Sequence, residues 1–381
     1  MTAETVFWIA AAWAAWAFAG YPAVAITLGR LRDTDPSPGL PWQPAVTVVM
    51  AVRDEAGIIR RRLENLLQSD YPADRLEILV VDDGSRDDTA AIAESLSPGR
   101  IRVIRQGSSR GKAAALNAGM AGVRTPVTVF ADARQHFAPD AISELVNVLA
   151  GPDTGAVAGR LRLTRTTEPD SADAASGTGL YWRIENALRE AECRLGWAHG
   201  VSGAIYALHT PLFRELPEGL ILDDMYTPLE VLRQGLRVRM APGAVAREPA
   251  GTENGREFRR KLRTLAGNWQ LIGYMPWLLS PVRNPVWFAW FSHKFARLLA
   301  PWALLTALVA SGLAQGPLMQ ALFWLQVTGY GLAIAAVAAP GPISRIPVAG
   351  TAGSFLLLNL AALLSLPALL RQRDAARLWK R

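Results

Sequence analysis

Four turns along the chain carry side chains that can do chemistry. Arg53-Asp54-Glu55 follows the apolar run ending at Val52. Asp82-Asp83-Gly84-Ser85 follows Val80-Val81, Asp132-Ala133-Arg134 follows Val127–Phe130, and Asp223-Asp224 opens a helical stretch. Carboxylates at a strand tip accept hydrogen bonds from a base or a ribose. Two carboxylates at i and i+2 share a divalent cation bound to a diphosphate. At the third turn the second position is Arg134, whose guanidinium offsets diphosphate charge directly. Adjacent carboxylates such as Asp223 and Asp224 repel, so one of them acquires a raised pKa and suits a general base. Gly111-Lys112 places an ammonium at a helix start, where backbone N–H groups already favour an anion. Each turn has a structural reading as well. Ser85 to Asp88 suit turn formation and capping, and Asp223 suits an N-terminal cap.

A sixth feature is a helix. Phe258, Leu262, Leu265, Trp269 and Ile272 form an apolar stripe at helical spacing, with Arg259, Arg260, Lys261 and Arg263 interleaved near its start. A basic amphipathic helix just before membrane spans lies in the interface, and Arg260 or Arg263 can also turn toward a diphosphate.

The elements that must position these groups are legible in the first half of the chain. Strands are predicted at Ala45–Val52, Glu77–Val81, Ile101–Ile104 and Val127–Phe130, and helices at Ile58–Gln68, Asp87–Leu96 and Lys112–Ala121. This βαβαβ rhythm predicts an α/β domain with a mostly parallel sheet, whose ligands bind at the strands' carboxyl ends. The acidic turns fall at those ends. A further helix is predicted over Tyr226–Gln234 and a loop over Pro169–Thr178.

The composition supplies the frame. The chain has 381 residues, half of them hydrophobic, a mean hydropathy of +0.14, 19% charged residues and a net charge of +7. That excludes a peptide hormone, a small disulfide scaffold and long disorder. Val6–Gly29 contains 24 residues without a charge, enough to cross a bilayer. Ala17-Phe18-Ala19 resembles a signal cleavage site, but Glu4 without a basic neighbour before the run favours a retained anchor. Leu298–Ala314, Pro317–Ala339 and Ile346–Leu370 are three more spans, the first reaching back through Trp287–Phe291. Arg30 and Arg32 place the following domain in the cytoplasm, and the basic tail Arg371–Arg381 asks for the same side. Four crossings put both termini together, so either one segment is re-entrant or interfacial or the tail crosses despite its charge. The single Cys193 forms no intrachain disulfide, and no nucleic-acid-binding signature is present.

In order and spacing these motifs resemble the family 2 inverting glycosyltransferases, in particular the membrane-embedded branch that contains hyaluronan, chitin and cellulose synthases. The resemblance covers Ala45 to Trp302. It rests on Val52-Arg53-Asp54-Glu55, Val81-Asp82-Asp83-Gly84-Ser85, Gly111-Lys112, Asp132-Ala133-Arg134, Leu222-Asp223-Asp224 and Arg260-Lys261-Leu262-Arg263, with Ser292-His293-Lys294 entering a span. It implies a GT-A fold and a nucleotide-diphosphate sugar donor, commonly a UDP-sugar. By position, Glu55 and Asp83 would contact the nucleoside, with Asp82 beside them, and Lys112 the nucleotide. Asp132 would be the first carboxylate of the DxD motif that holds Mg²⁺ or Mn²⁺, and Asp224 the base that deprotonates the acceptor. Two motifs depart from the family pattern. DxD reads Asp132-Ala133-Arg134. QxxRW reads Arg260-Lys261-Leu262-Arg263-Thr264, with Trp269 as a replacement stacking face for the acceptor.

The resulting expectation is a multi-pass enzyme of the inner (plasma) membrane. It has an anchor over residues 1–30, a cytosolic GT-A domain over 31–256, an interfacial region over 257–284, spans over 285–370 and a basic tail over 371–381. It would transfer a sugar to a polysaccharide or lipid-linked acceptor. Competing readings are a polyprenyl-phosphate monoglycosyltransferase and a catalytically dead GT-A nucleotide-binding scaffold.

Overall fold

A computed structural model of the chain describes residues 1–32, 42–97, 99–164, 179–249, 254–338 and 347–371. The predicted loop Pro169–Thr178 and tail residues 372–381 lie outside them. Among the described residues, eight strands form one sheet in the order β3-β2-β1-β4-β7-β6-β8-β5. The strands are β1 (Val46–Val52), β2 (Leu76–Asp82), β3 (Ile101–Arg105), β4 (Val127–Ala131), β5 (His136–Phe137), β6 (Thr154–Thr164), β7 (Ile205–His209) and β8 (Arg237–Pro249). The first four are parallel, with Val52 opposite Asp82 and Asp82 opposite Arg105. β7 runs antiparallel to β4 and β6, while β6 and β8 are parallel to one another.

The inner strands β1, β2 and β4 are buried on both faces, which is why they read as continuous apolar runs, whereas the edge strand β3 carries exposed Arg102 and Arg105. Val49, Ala51, Leu79 and Val81 share a core with the helix Lys112–Ala121. Their neighbours Val48, Met50, Ile78 and Val80 point to the other face, against Ile59, Leu63 and Leu66 of the helix Ala56–Leu67. The helix predicted over Asp87–Leu96 is shorter, Thr89–Glu94, because Asp87 is taken up by its N-terminal turn. Its carboxylate accepts the Thr89 N–H at 3.1 Å and the Ala56 N–H at 3.1 Å. The helix predicted from Tyr226 begins instead at Asp223, so both carboxylates sit in its first turn. No side chain caps it, and Leu222 occupies the cap position.

Among the described residues, four helices are long and apolar enough to cross a membrane: Ala3–Leu31, Trp287–Leu313, Pro317–Ala338 and Val348–Arg371. The first two each contain a π-turn, Trp16–Gly20 and Phe291–Phe295, and the two turns are joined by a hydrogen bond from Trp16 Nε1 to Ser292 Oγ at 3.1 Å. The first helix also grips the α/β domain, because Gly29 lies directly on Ala191 of the helix Gly179–Leu195. A Cβ added at Gly29 would come 2.7 Å from the Ala191 Cβ and 2.8 Å from its Cα. Gly29→Leu is therefore expected to cost ~1–3 kcal/mol by overpacking and to lower the melting temperature of the detergent-solubilised chain. An unchanged melting curve would contradict this crossing.

The amphipathic helix, Asn254–Tyr274, lies between the α/β domain and the last apolar helix. Trp269 Nε1 donates to Ser365 Oγ at 3.0 Å, while Gln270 accepts the Ile221 N–H and donates to the Gly219 carbonyl, both at 2.9 Å. It thus packs against protein on two sides as well as carrying the basic residues expected at an interface.

Candidate active site

The carboxyl ends of β1, β2 and β4 meet in a network of turns. Asp54, at φ 52°, accepts the Arg86 N–H at 2.7 Å, and its own N–H donates to Ser85 Oγ at 2.9 Å. Ser85 Oγ in turn donates to the Asp82 carboxylate. Gly84 has φ +68° and lies so close to the Ser108–Ser109 backbone that a Cβ would sit 2.7 Å from the Ser109 nitrogen. Only glycine fits that approach.

Beside these turns opens a cleft of about 640 Å³ lined by Arg53, Asp82, Ser85, Arg105, Gln106 and Ser109, among others. That volume suits a nucleoside-sized ligand. Asp82, rather than Asp83, is the carboxylate that lines it. Asp83 is 1% exposed, and its carboxylate is committed to the loop before Lys112. It accepts Ser109 Oγ at 2.7 Å and the N–H groups of Arg110 at 2.8 Å and Gly111 at 3.1 Å. Asp83→Ala would strand these buried donors, at about 1–3 kcal/mol. The expected result is a lower melting temperature with the loop more open to proteolysis, and an unchanged melting curve with an equally protected loop would refute it.

The centre of the site is Lys112. Its Nζ lies 3.0 Å from Asp132 Oδ1 and 3.2 Å from Asp223 Oδ2, so residues 20 and 111 positions further along the chain meet at one ammonium. Burial works against that charge, but Asp132, Asp223 and Asp224 outweigh it and hold Lys112 above its ordinary value. Asp223 is buried, while Asp224 is half-buried and turned toward the loop after His199. There the Gly203 N–H donates to Asp224 Oδ2 at 3.3 Å and the Val201 N–H to the Asp224 carbonyl at 2.9 Å. Burial, and then the neighbouring Asp223, push Asp224 up to about 6, and Lys112 pulls against them. This division suits a base that must hold a proton transiently near neutral pH.

Asp132 is steadied from behind. Arg62 is buried, donates from Nε to the Asp132 carbonyl at 3.1 Å and lies 4.0 Å over the Phe137 ring. Its burial lowers the guanidinium to about 9. Arg134 pairs with Glu55 Oε1 at 3.2 Å on the exposed side of the same edge. The donor set here does not fit the divalent cation of a DxD motif. One of its two carboxylates is an arginine, and the other already holds an ammonium.

Arg260 is exposed and Arg263 half-buried on the amphipathic helix. Trp269 is seated in the seam with the last apolar helix, edge-on to Phe295 at 6.3 Å. A buried polar group that sequence reasoning passed over sits beneath the site: Glu185, Glu192 and His199, joined to His293. The signal for it was weak, since only His293-Lys294, inside an apolar run, is anomalous in sequence.

Parallel strands with acidic loops at their carboxyl ends, a nucleoside-sized cleft and a lysine among carboxylates define a GT-A-type α/β domain, here mounted on apolar helices. The fold matches the mannosyltransferase PcManGT of Pyrobaculum calidifontis, solved in complex with GDP-Man and Mn²⁺, with a TM-score of 0.69 and 24% identity over 95% of this chain and 99% of that one. Residues 47–212 match the Glycosyl transferase family 2 model. The beta-monoglucosyldiacylglycerol synthase of Synechocystis sp. is 30% identical over 164 residues, 40% of this chain and 34% of that protein. An N-acetylglucosaminyltransferase of Rhizobium meliloti is 28% identical over 219 residues, 53% of this chain and 50% of that protein. The chain thus spans between a third and a half of the length of these relatives.

Proposed function

We propose that the chain is a membrane-embedded inverting glycosyltransferase that moves a sugar from a nucleotide-diphosphate sugar, foremost a UDP-sugar, to a hydroxyl of a lipid or polysaccharide acceptor. One observation carries this reading. Asp224, the half-buried carboxylate with a raised pKa, stands beside a lysine bound to Asp132 and Asp223. Such a site supplies a base for the acceptor and a cation for the departing diphosphate within one cluster. The nucleoside would enter the cleft at Asp82, with Glu55 and Arg134 at its rim. The acceptor oxygen attacks the anomeric carbon as the bond from that carbon to the phosphate oxygen breaks. Asp224 takes the hydroxyl proton, and the nucleoside diphosphate leaves with the bonding electrons. Lys112 and the basic residues Arg134, Arg260 and Arg263 would offset the charge that develops on it.

The reading puts the enzyme at a bilayer, with the domain of residues 31–256 on the cytoplasmic side of the inner membrane, and four helices long and apolar enough to span support it. The amphipathic helix, bound both to the loop before Asp223 and to the last span, supports an acceptor that arrives from the membrane face. The test is product analysis by mass spectrometry. Full-length protein in nanodiscs would be offered UDP-glucose, UDP-galactose, UDP-N-acetylglucosamine and GDP-mannose together with membrane lipids. A glycosylated lipid or glycan is expected from one of them. Hydrolysis alone, or no turnover with any donor, would sink the reading.

A further inference from the structure

The apolar helices meet the α/β domain at a buried cluster that the transfer chemistry does not use. Glu192 lies near the end of the helix Gly179–Leu195, His199 in the loop that follows, and His293 in the π-turn of a spanning helix. Their exposures are 3%, 2% and 1%. One ring nitrogen from each histidine and one Glu192 oxygen all lie within 4.8 Å of one another. The other nitrogens are anchored. His199 Nδ1 faces the Trp197 carbonyl at 3.2 Å, which leaves the lone pair on Nε2. His293 Nε2 is 3.1 Å from Glu185, while its Nδ1 is 2.8 Å from Glu192. Metal-binding histidines use this arrangement, in which a carbonyl or carboxylate holds the far N–H and so aims the near lone pair.

We propose that Glu192, His199 and His293 bind a divalent transition-metal ion, zinc by preference, which bolts the spanning helices to the loop beneath Asp224. The ligand set argues for the ion. Two neutral imidazoles and one carboxylate suit zinc, whereas magnesium and calcium seek oxygen. The surroundings argue the same way. Arg189, Lys294 and Arg297 approach Glu185 at 3.4, 3.9 and 2.9 Å, so that carboxylate is neutralised and orients rather than ligates. Glu192, held by the Tyr21 hydroxyl at 2.7 Å, is then the one anionic ligand. In a basic setting of this kind, affinity comes from imidazole lone pairs and not from charge alone. Binding expels the proton shared by His293 Nδ1 and Glu192, and three protein ligands leave the fourth tetrahedral position to water. The consequence reaches the site through a short path. The loop that His199 begins continues to Val201 and Gly203, whose N–H groups hold the Asp224 carbonyl and carboxylate.

The experiment is elemental analysis of full-length protein in detergent, purified on a tag without histidines from zinc-supplemented cells. About one zinc per chain is expected, together with a visible absorption band after exchange to Co²⁺. His199→Gln and Glu192→Gln should lose the ion by about tenfold or more, whereas His199→Cys, which restores a ligand, should keep it. Asp132→Asn and Asp223→Asn should keep it as well. Zinc should raise the melting temperature of the native chain and not of His199→Gln. Native protein that holds no zinc and shows no Co²⁺ band would overturn the proposal in favour of a His293 ring that only hydrogen-bonds Glu185 and Glu192. Zinc that survives His199→Gln and Glu192→Gln but is lost with Asp132→Asn would overturn it in favour of an ion in the donor cleft.

Discussion

Asp224→Asn is expected to lower kcat for transfer to a hydroxyl acceptor by about 10²–10⁴-fold, the usual worth of a positioned general base, with donor affinity little changed. Asparagine keeps the shape and an oxygen for the Gly203 N–H, so the loss isolates proton transfer from folding. The pKa of Asp224 sets the accompanying pH profile. Burial and Asp223 raise it from 3.8 to about 6, so kcat/KM should rise with pH through about 6 and level off above it. Stability has the opposite sign. Because the folded state disfavours the ionised form, ionising Asp224 costs stability, a cost absent well below 3.8 and complete above about 6. Asp224→Asn removes that cost, so its melting temperature at pH 7 should equal or exceed that of the native chain. A variant that transfers at the native rate to a lipid phosphate, with no hydroxyl acceptor used, would overturn the base assignment and favour polyprenyl-phosphate glycosylation, because a phosphate oxygen needs no base. Retained hydroxyl transfer would overturn it too.

Much of this site could be read in the sequence because the parallel half of the sheet obeys short-range rules. β1, β2 and β4 are continuous apolar runs, and each ends on charged or polar residues that cannot continue into a buried strand, such as Arg53-Asp54, Asp83 and Asp132. The mixed half of the sheet was harder. β6 and β8 alternate polar and apolar residues only over Arg160-Leu161-Arg162-Leu163 and Arg237-Val238-Arg239-Met240, short stretches of longer strands that are otherwise irregular in pattern. Arg160 is matched by Glu190, and Arg239 by Asp153, partners that only the folded chain brings near. The same limit hid the role of Asp83. Its motif places it at a strand tip, but only the fold reveals that Ser109, Arg110 and Gly111 turn back to consume its carboxylate. Gly111-Lys112 reads in sequence as an ammonium at a helix start. That it joins Asp132 to Asp223 depends on the helix Asp223–Arg233 packing beside β4's end, a long-range contact that no local pattern encodes.

Lys112→Met is expected to reduce kcat by about 10²–10³-fold, the effect of removing one preorganised charge from a developing anion. The argument begins from the cations that the edge of the sheet contains. A DxD pair would supply two carboxylates for an ion, but here Arg134 occupies the second position and reaches Glu55, while Asp132 is paired with the ammonium. On the proposed reading, the positive charge that a diphosphate leaving group needs is supplied by the chain. EDTA present only during the assay should leave the initial rate unchanged, and added Mn²⁺ should not rescue Lys112→Met. The variant has a second signature. Lys112 lowers the pKa of Asp224, so its loss should move the acidic limb of kcat/KM to higher pH, whereas a lysine that served only folding would leave that limb in place. Lys112→Arg, which keeps the charge, should hold the limb near its native position even where the bulkier fork costs rate. If EDTA abolished transfer and Mn²⁺ restored it, or if Lys112→Met kept the native rate, the charge on the leaving group would have to be met by an ion and not by this lysine.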